Sequence, residues 1–133
     1  MAVRLDAIGI VVTEMARALA FYRCLGLAIG AGQDDEDHVE FVCPNGLRLM
    51  WDTEALVKGF APEWTPPVSG NARLGLAFLC ESAADVDASV ERLRGAGYPV
   101  VREPWDAFWG QRYAQVADPD GNVLDLFAPL EAG

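Results

Sequence analysis

The chain has few residues that bind metal ions and few that carry a positive charge. Its 133 residues include one histidine and three cysteines, and ten basic residues stand against twenty acidic ones. Cys24, Cys43 and Cys80 lie too far apart for the ligand spacing of a zinc site. We therefore expect small buried thiols in a reducing cytoplasm rather than disulfides or a metal centre.

The chain also has no long apolar run and no excess of basic residues. No apolar stretch reaches the length of a membrane-spanning helix, and the first residues lack the apolar core of a signal peptide. The net charge of −10 repels phosphate groups. These absences predict a cytoplasmic protein that has neither a membrane nor a nucleic acid as its partner.

Apolar residues are abundant, at 52% of the chain, and they are arranged as an internal repeat. Each half follows the order strand, helix and three strands, with residues 5–12 and 73–79 as the first strands. We predict an α+β fold of two βαβββ modules within one structural domain. The first module is residues 1–53, the linker is residues 54–71, and the second module is residues 72–133.

In the first module, a helix over residues 14–25 follows the first strand, and a hairpin follows a short second strand. Asn45 and Gly46 separate two strand-like runs, which is typical of a two-residue hairpin turn. Such a turn pairs Leu49 with Val42. Side-chain alternation then places on one face His38, Glu40, Val42, Leu47, Leu49 and Trp51.

In the second module, Ser82 and Asp85 form a capping box at the start of a helix. A strand over residues 98–101 precedes a hairpin, whose turn is indicated by Pro119, which presets φ, and by Gly121, which accepts a positive φ. This polar and aromatic face suits either a ligand-binding wall or a half-solvated edge hairpin. Alternation along the hairpin places on one face Trp109, Gln111, Tyr113, Gln115 and Asp125.

The linker of residues 54–71 is too long for a plain turn, and such loops are often functional. Phe60 and Trp64 stand among its prolines and glycines, which suggests a flap over a cavity. A linker that Trp64 anchors on the core is the alternative.

Several motifs in order resemble the vicinal oxygen chelate superfamily, which includes glyoxalases, extradiol dioxygenases, and fosfomycin- and bleomycin-resistance proteins. They are the two βαβββ modules, the sequence Phe-Tyr-Arg-Cys-Leu-Gly of residues 21–26, and the ending Asp-Pro-Asp-Gly-Asn-Val-Leu-Asp-Leu-Phe of residues 118–127. The resemblance covers nearly the whole chain. It implies a curved mixed sheet around a cavity, in a homodimer that exchanges modules between subunits.

Enzymes of that superfamily bind a divalent metal through four inward residues on the first and last strands of each module. The matching positions in this chain are Ala7, Leu49, Gly75 and Asp125. Three of these residues have no side-chain donor, and one carboxylate cannot hold a divalent ion. We therefore predict no metal, no cofactor and no enzymatic activity, but a small-molecule pocket where the metal would lie.

Within the superfamily, the chain is similar to members that sequester antibiotics. The block Trp-Gly-Gln-Arg-Tyr-Ala of residues 109–114, with residues 46–53, 62–64 and 104–105, resembles mitomycin-binding and tiancimycin-type (anthraquinone-fused enediyne) resistance proteins. This resemblance implies non-covalent binding of a planar quinone-type antibiotic, which gives self-resistance. Flat indole rings that still donate a hydrogen bond suit such a ligand.

The predicted ligand-binding residues are aromatic side chains and the polar neighbours on their predicted faces. We expect Trp51 and Trp109 to contact the ligand, and His38 to form a hydrogen bond with a ligand oxygen. Arg112, on the opposite parity, is expected to bind a carboxylate or a neighbouring subunit. The full set is His38, Glu40, Leu49, Trp51, Phe60, Trp64, Trp105, Trp109, Gln111, Tyr113, Gln115 and Asp125.

Two alternatives remain open at this point. A lyase, isomerase or dioxygenase of the same superfamily could bind a metal through displaced ligands such as His38, Glu40 or Asp125. The net charge and the acidic loop of residues 34–37 would also suit a cationic glycopeptide of the bleomycin type.

Overall fold

The computed structural model describes residues 2–67 and 72–130, and these form an α+β fold with two mixed sheets and three helices. The chain divides into two compact units. Unit 1 comprises Met1–Ala20 and Ala28–Val68, and unit 2 comprises Phe21–Leu27 and Ser69–Gly133. The predicted α+β class is confirmed, and unit 2 follows the complete βαβββ order, whereas unit 1 has two strands after its helix.

Unit 1 contains a three-stranded sheet, called sheet A, with the strand order β1-β3-β2. Strand β1 runs parallel to β3, and β2 is antiparallel to β3. The strands of sheet A are β1 (Ala7–Val12), β2 (His38–Val42) and β3 (Arg48–Thr53). The helices are α1 (Met15–Leu25), which follows β1 and ends in unit 2, and α2 (Glu54–Phe60), which follows β3.

One face of sheet A is buried, and α2 contacts β1 and β3. Because side chains alternate along a strand, the apolar residues of the three strands collect on this one face. The buried side chains on it are Ile10, Val12, Val39, Leu49 and Trp51. The other side is here named the open face of sheet A, and it carries His38, Glu40, Arg48, Met50 and Asp52.

Two parts of unit 1 differ from the sequence prediction. The predicted linker contains helix α2, because the Thr53 hydroxyl accepts the backbone N–H of Leu56 at 3.2 Å and caps the helix. Residues 27–37 form turns and irregular backbone where a short strand was predicted. Residues 68–71, the end of the predicted linker, lie outside the described residues.

Unit 2 contains a four-stranded sheet, called sheet B, with the order β4-β7-β6-β5. Strand β4 runs parallel to β7, and the other neighbours are antiparallel. Its strands are β4 (Leu76–Leu79), β5 (Val100–Ala107), β6 (Gln111–Ala117) and β7 (Val123–Pro129). Helix α3 (Ala83–Gly95) contacts β5, β6 and β7. Its predicted capping box is confirmed, since Ser82 Oγ accepts the backbone N–H of Asp85 at 3.2 Å.

The end of α1 packs within unit 2. The rings of Phe21 and Tyr98 meet edge to face with centroids 4.9 Å apart. The Arg92 guanidinium of α3 donates to the carbonyl oxygens of Cys24 and Leu25, at 2.7 and 2.9 Å. These donors satisfy carbonyls that the last turn of a helix leaves without partners.

Two further observations concern the compartment prediction. Among the described residues, no helix is both long and apolar enough to span a bilayer. Cys24, Cys43 and Cys80 are free, half-buried thiols. Burial raises the pKa of the Cys43 and Cys80 thiols.

Candidate functional site

Helix α3 covers one face of sheet B, and the opposite face forms the candidate site. Arg112 marks the helix side, because its guanidinium contacts Asp87 of α3 at 3.0 and 3.2 Å and Asp106 at 3.0 Å. The predicted carboxylate partner of Arg112 is therefore confirmed. The same side buries Ala114, Val116, Leu124, Leu126 and Ala128.

The opposite side is here named the open face of sheet B, and strand register arranges it as two adjacent rows. Residues directly opposite each other on paired strands share a face. The polar row is Arg102, Gln115, Asp125 and Ala77. The aromatic row is Trp105, Tyr113, Phe127 and Leu79.

Gln115 is at the centre of the polar row. Its amide Nε2 donates to Asp125 Oδ1 at 2.8 Å and to the Tyr113 hydroxyl at 3.2 Å. Burial raises the pKa of the Tyr113 phenol, and the adjacent Asp125 carboxylate raises it further. The Tyr113 hydroxyl therefore stays protonated at neutral pH and can donate a hydrogen bond.

Trp109 extends the aromatic row at the turn between β5 and β6. Its ring meets Trp105 and Tyr113 edge to face, with centroids 5.5 and 5.4 Å apart. Its indole N–H donates to Gln111 Oε1 at 2.8 Å, which fixes the ring. Trp109 is 48% exposed and the adjoining Phe108 is 91% exposed. An aromatic surface of this kind offers ring contacts worth about 0.5–1.5 kcal/mol each beyond buried area.

The Trp105 indole N–H is a donor without an acceptor. Its Nε1 atom is buried and has no hydrogen-bond partner within the described parts of the chain. A buried donor that lacks a partner costs about 1–3 kcal/mol. A ligand oxygen placed beside it would remove that cost.

Two β-bulges in β5 set the direction of its side chains. Val100 pairs with Val116, Arg102 pairs with Gln115, and Trp105 pairs with Tyr113. From the first pair to the second, β5 advances by two residues and β6 by one. From the second pair to the third, β5 advances by three residues and β6 by two. Each interval therefore has one extra residue on β5, which is a β-bulge. Arg102 and Trp105 are three positions apart, and regular alternation would send them to opposite faces. The second bulge brings both to the open face.

A hydrogen-bonded network of His38, Glu40, Arg48 and Asp52, extended by Asp6, lies on the open face of sheet A. His38 Nδ1 lies 2.5 Å from Asp52 Oδ1, and its Nε2 lies 2.7 Å from Glu40 Oε2. Arg48 bridges Glu40 and Asp6 at 2.5 and 2.8 Å. Hydrogen bonds to Glu40 and Asp52 raise the pKa of His38, and the bond from His38 lowers the pKa of Glu40. This network occupies both ring nitrogens of His38.

The predicted pairing of Leu49 with Val42 is wrong. Leu49 pairs with Phe41, because the β2–β3 loop has three residues, Pro44 to Gly46, rather than two. Gly46 has φ of 90°, as expected for a three-residue loop that ends in the left-handed conformation. A one-residue change of register reverses the face of every side chain on the strand.

The structure therefore places Leu49 and Trp51 in the core, and their contact with a ligand stays a prediction. They are 3% and 0% exposed on the buried face of sheet A. His38 and Glu40 lie on the other face and do not share a face with Trp51. In unit 2, the predicted shared face of Gln111, Tyr113, Gln115 and Asp125 is confirmed, and Trp109 contacts two of them.

The register also changes which residues match the metal positions of the superfamily. Gly9 and Ala77 are equivalent residues of the first strands of the two modules. Gly9 pairs with Met50 in sheet A, and Ala77 pairs with Asp125 in sheet B. Met50 rather than Leu49 therefore corresponds to Asp125. A thioether and one carboxylate do not provide a divalent metal site. Over residues 2–67 and 72–130, no cluster of three His, Cys, Asp or Glu side chains could hold a metal ion. The residues present do not fit the superfamily's metal.

Phe60 and Trp64 lie in unit 1, at and after the end of α2. Phe60 is 74% exposed, and Trp64 is half-buried, with its backbone N–H bonded to the Ala61 carbonyl at 2.9 Å. Their contact with a ligand stays a prediction.

Sequence analysis did not identify Arg102 and Phe108 as site residues. The signal for Arg102 was Pro104, because proline within a strand is typical of an edge or a bulge. Phe108 could have been identified from its position next to Trp109, at a turn that Gly110 indicates. In the structure Gly110 has φ of 94°.

Curated relatives come from mycobacteria. Uncharacterized proteins of Mycobacterium bovis and Mycobacterium tuberculosis are 31% identical to this chain over 86 residues. The matches cover 65% of this chain and 55% and 49% of those proteins. The chain thus spans about half the length of the curated relatives it matches.

Solved structures share the fold at low sequence identity. A glyoxalase/bleomycin resistance protein/dioxygenase from Nocardioides has a TM-score of 0.75 at 24% identity, covering 100% of this chain and 87% of its own. A family enzyme of the same description from Burkholderia phytofirmans has a TM-score of 0.79 at 16% identity, covering 96% of this chain and 100% of its own. At these identities the likeness shows the fold alone.

A sequence model of the family described as the Glyoxalase/Bleomycin resistance protein/Dioxygenase superfamily matches residues 4–126. That range includes both sheets except the last residues of β7. The chain therefore belongs to the glyoxalase/bleomycin resistance protein/dioxygenase superfamily.

Proposed function

We propose that this protein binds a planar quinone-type natural product, such as mitomycin or an anthraquinone-fused enediyne, and lowers its free concentration without changing it chemically. The observation that carries the proposal is the open face of sheet B, where an aromatic row lies directly beside a polar row. We place the ligand on this face, with its rings against Trp105, Trp109 and Tyr113.

The aromatic row suits the fused rings of such a ligand, and the polar row suits its hydrogen-bonding groups. Flat fused rings gain contact energy against Trp109, which is half-exposed and held by Gln111. Quinone carbonyls accept hydrogen bonds, and the Trp105 indole N–H is a buried donor without a partner in the described chain. Hydroxyl or amino groups on the ring edge can donate to the Asp125 carboxylate, which is held in place by the hydrogen bond from Gln115.

Binding is favoured over metal-dependent catalysis by the donor set. Ala7 and Met50 leave sheet A without oxygen or nitrogen ligands at the superfamily positions, and Asp125 is the one donor in sheet B. His38 and Glu40 are displaced candidates, yet both imidazole nitrogens already contact carboxylates. A sequestering protein needs tight binding, and a nanomolar dissociation constant corresponds to about −12 kcal/mol.

Titration of the intrinsic tryptophan fluorescence tests this proposal. We expect mitomycin C or an anthraquinone-fused enediyne at micromolar concentration to quench the emission, because Trp105 and Trp109 lie on the proposed site. Bleomycin is the comparison, since binding of a cationic glycopeptide would weaken steeply with added salt whereas ring stacking would not. Absence of quenching by either quinone would overturn the proposal.

A reporter variant tells which tryptophans sense the ligand. In a protein with Trp105→Phe and Trp109→Phe, rings remain but the indoles of unit 2 are gone. We expect calorimetry to record binding while most of the quenching disappears. Quenching that persists in this variant would instead place the ligand beside Trp51 or Trp64 of unit 1.

The homodimer implied by the family resemblance is part of the same proposal. Sedimentation velocity at micromolar protein, with and without mitomycin C, measures the oligomeric state directly. We expect a single species of twice the 14.4 kDa chain mass in both samples. A monomer in both samples would contradict this part of the proposal and leave ligand binding by unit 2 unaffected.

A further inference from the structure

Arg102 is a cation on the open face of sheet B that contacts no carboxylate there. It is exposed, and its guanidinium has no ion pair or hydrogen bond with residues 2–67 or 72–130. Three other arginines of unit 2 are engaged: Arg92 contacts carbonyl oxygens, Arg94 contacts Glu91 and Glu103, and Arg112 contacts Asp87 and Asp106.

The backbone of β5 brings Arg102 to this face. Val100 pairs with the buried Val116, so regular alternation would turn Arg102 back toward α3. The first bulge moves Arg102 opposite Gln115, and the second moves Trp105 opposite Tyr113. Bulges are frequent where a strand re-aims side chains beside a functional site. Two bulges thus place a cation and an indole side by side on the proposed site.

We propose that the ligand carries an ionised oxygen, as a carboxylate or an acidic ring hydroxyl, and that Arg102 binds this oxygen while the rings contact the aromatic row. This inference rests on the proposed function and names the ligand class. A guanidinium and a carboxylate or phenolate form charge-assisted hydrogen bonds, which are stronger than neutral ones.

The polar row gives the geometry of recognition. Arg102 on β5 and Asp125 on β7 are both opposite Gln115 of β6, so they lie two strand spacings apart, roughly 10 Å. Gln115 contacts the Asp125 carboxylate, which keeps this acceptor at the far end of the row. A fused-ring ligand whose edge follows the polar row would place its ionised oxygen at Arg102 and a hydrogen-bond donor group at Asp125. Arg102 thereby selects the orientation as well as the charge of the ligand.

Two matched probes test the inference by calorimetry at neutral pH. Anthraquinone-2-carboxylate carries the charge, and anthraquinone-2-carboxamide has the same rings without it. We expect wild-type protein to bind the carboxylate about tenfold more tightly than the carboxamide. Arg102→Gln should remove this preference, because it weakens binding of the carboxylate much more than binding of the carboxamide. Arg102→Lys should retain part of the preference, because it keeps the charge but not the planar fork.

The control is Lys58→Gln, which removes the same charge from an exposed position of α2 in unit 1 and should preserve the preference. Equal binding of both probes to wild-type protein, or an equal loss of both in Arg102→Gln, would overturn the role of Arg102 and leave the proposed function in place. If neither probe binds the wild-type protein, the proposed function fails for anthraquinones, and the inference fails with it.

Discussion

The Tyr22 hydroxyl donates a hydrogen bond of 2.7 Å to Asp118 Oδ2, and both side chains are buried. Asp118 also accepts the backbone N–H groups of Asp120 and Asn122 at 2.9 Å each. One carboxylate therefore connects the end of α1 with the turn of the β6–β7 hairpin, from which Asp125 and Gln115 extend. We infer that this contact stabilises the strands that carry the candidate site.

Tyr22→Phe tests the contact. The change removes a hydrogen bond to a charged group, and we expect the free energy of unfolding to fall by about 1.5–3 kcal/mol. Urea denaturation with an unchanged slope measures the difference. Tyr98→Phe is the matched control, since no hydrogen bond of its hydroxyl is found among the described residues, and it should change stability by no more than about 0.5 kcal/mol. Equal effects of the two variants would contradict this account.

Trp51→Ala distinguishes a core tryptophan from one in the site. Trp51 is fully buried in unit 1, so its truncation leaves a cavity and should cost about 3–5 kcal/mol of unfolding free energy. Thermal and urea unfolding measure this loss. Trp51→Phe, which fills most of the space, should keep a folded protein with unchanged ligand affinity. A large loss of affinity in that folded variant would restore Trp51 to the site.

Trp109→Ala should produce the opposite pattern. The ring is half-exposed, so stability changes little, but affinity for a quinone ligand should fall by about 2 kcal/mol or more if the ring is a binding anchor. Calorimetry measures the affinity and circular dichroism confirms the fold. Trp109→Phe retains a ring and should recover most of the binding. An affinity that Trp109→Ala leaves intact would exclude Trp109 as an anchor.

The His38 network should make stability depend on pH. Hydrogen bonds to Glu40 and Asp52 raise the folded-state pKa of His38 above its ordinary value of 6.5. The stabilisation is fully present below that value and is lost as pH rises through the folded-state pKa. Protonation of Glu40, whose pKa is lowered, ends the effect only in acid.

His38→Gln measures this dependence. The stability difference between wild-type and variant should be larger at about pH 6 than at about pH 9, where the imidazole is neutral in both states. Urea midpoints at the two pH values provide the comparison. A difference that does not change with pH would show that His38 contributes no charge to the network.

Metal content separates the binding proposal from the enzyme alternative. We expect purified protein to contain much less than one equivalent of iron, manganese, nickel or zinc, because the superfamily positions lack donors. Elemental analysis after growth in metal-supplemented medium is the measurement. One tightly bound equivalent would favour a metalloenzyme. Asp125→Asn would then show whether this carboxylate is a ligand, through loss of the metal.

The β2–β3 hairpin shows where sequence analysis failed and why. Asn45 and Gly46 indicate a two-residue turn locally, but the loop has three residues, and the register moves by one position. The second hairpin has the same pattern, with Pro119 to Gly121 between paired strands, and there the predicted face was correct. Applied consistently, the repeat of Pro-X-Gly would have moved Trp51 and Leu49 to the core.

Apolar periodicity, capping residues and turn glycines determined the elements of this fold, because each depends on contacts between residues near in sequence. The same local patterns predicted the polar and aromatic face of the β6–β7 hairpin. Only the tertiary structure decided which side chains share a face across strands, since pairing register and bulges depend on partners distant in sequence. For that reason Arg102 could not be assigned to the open face of sheet B from the sequence alone.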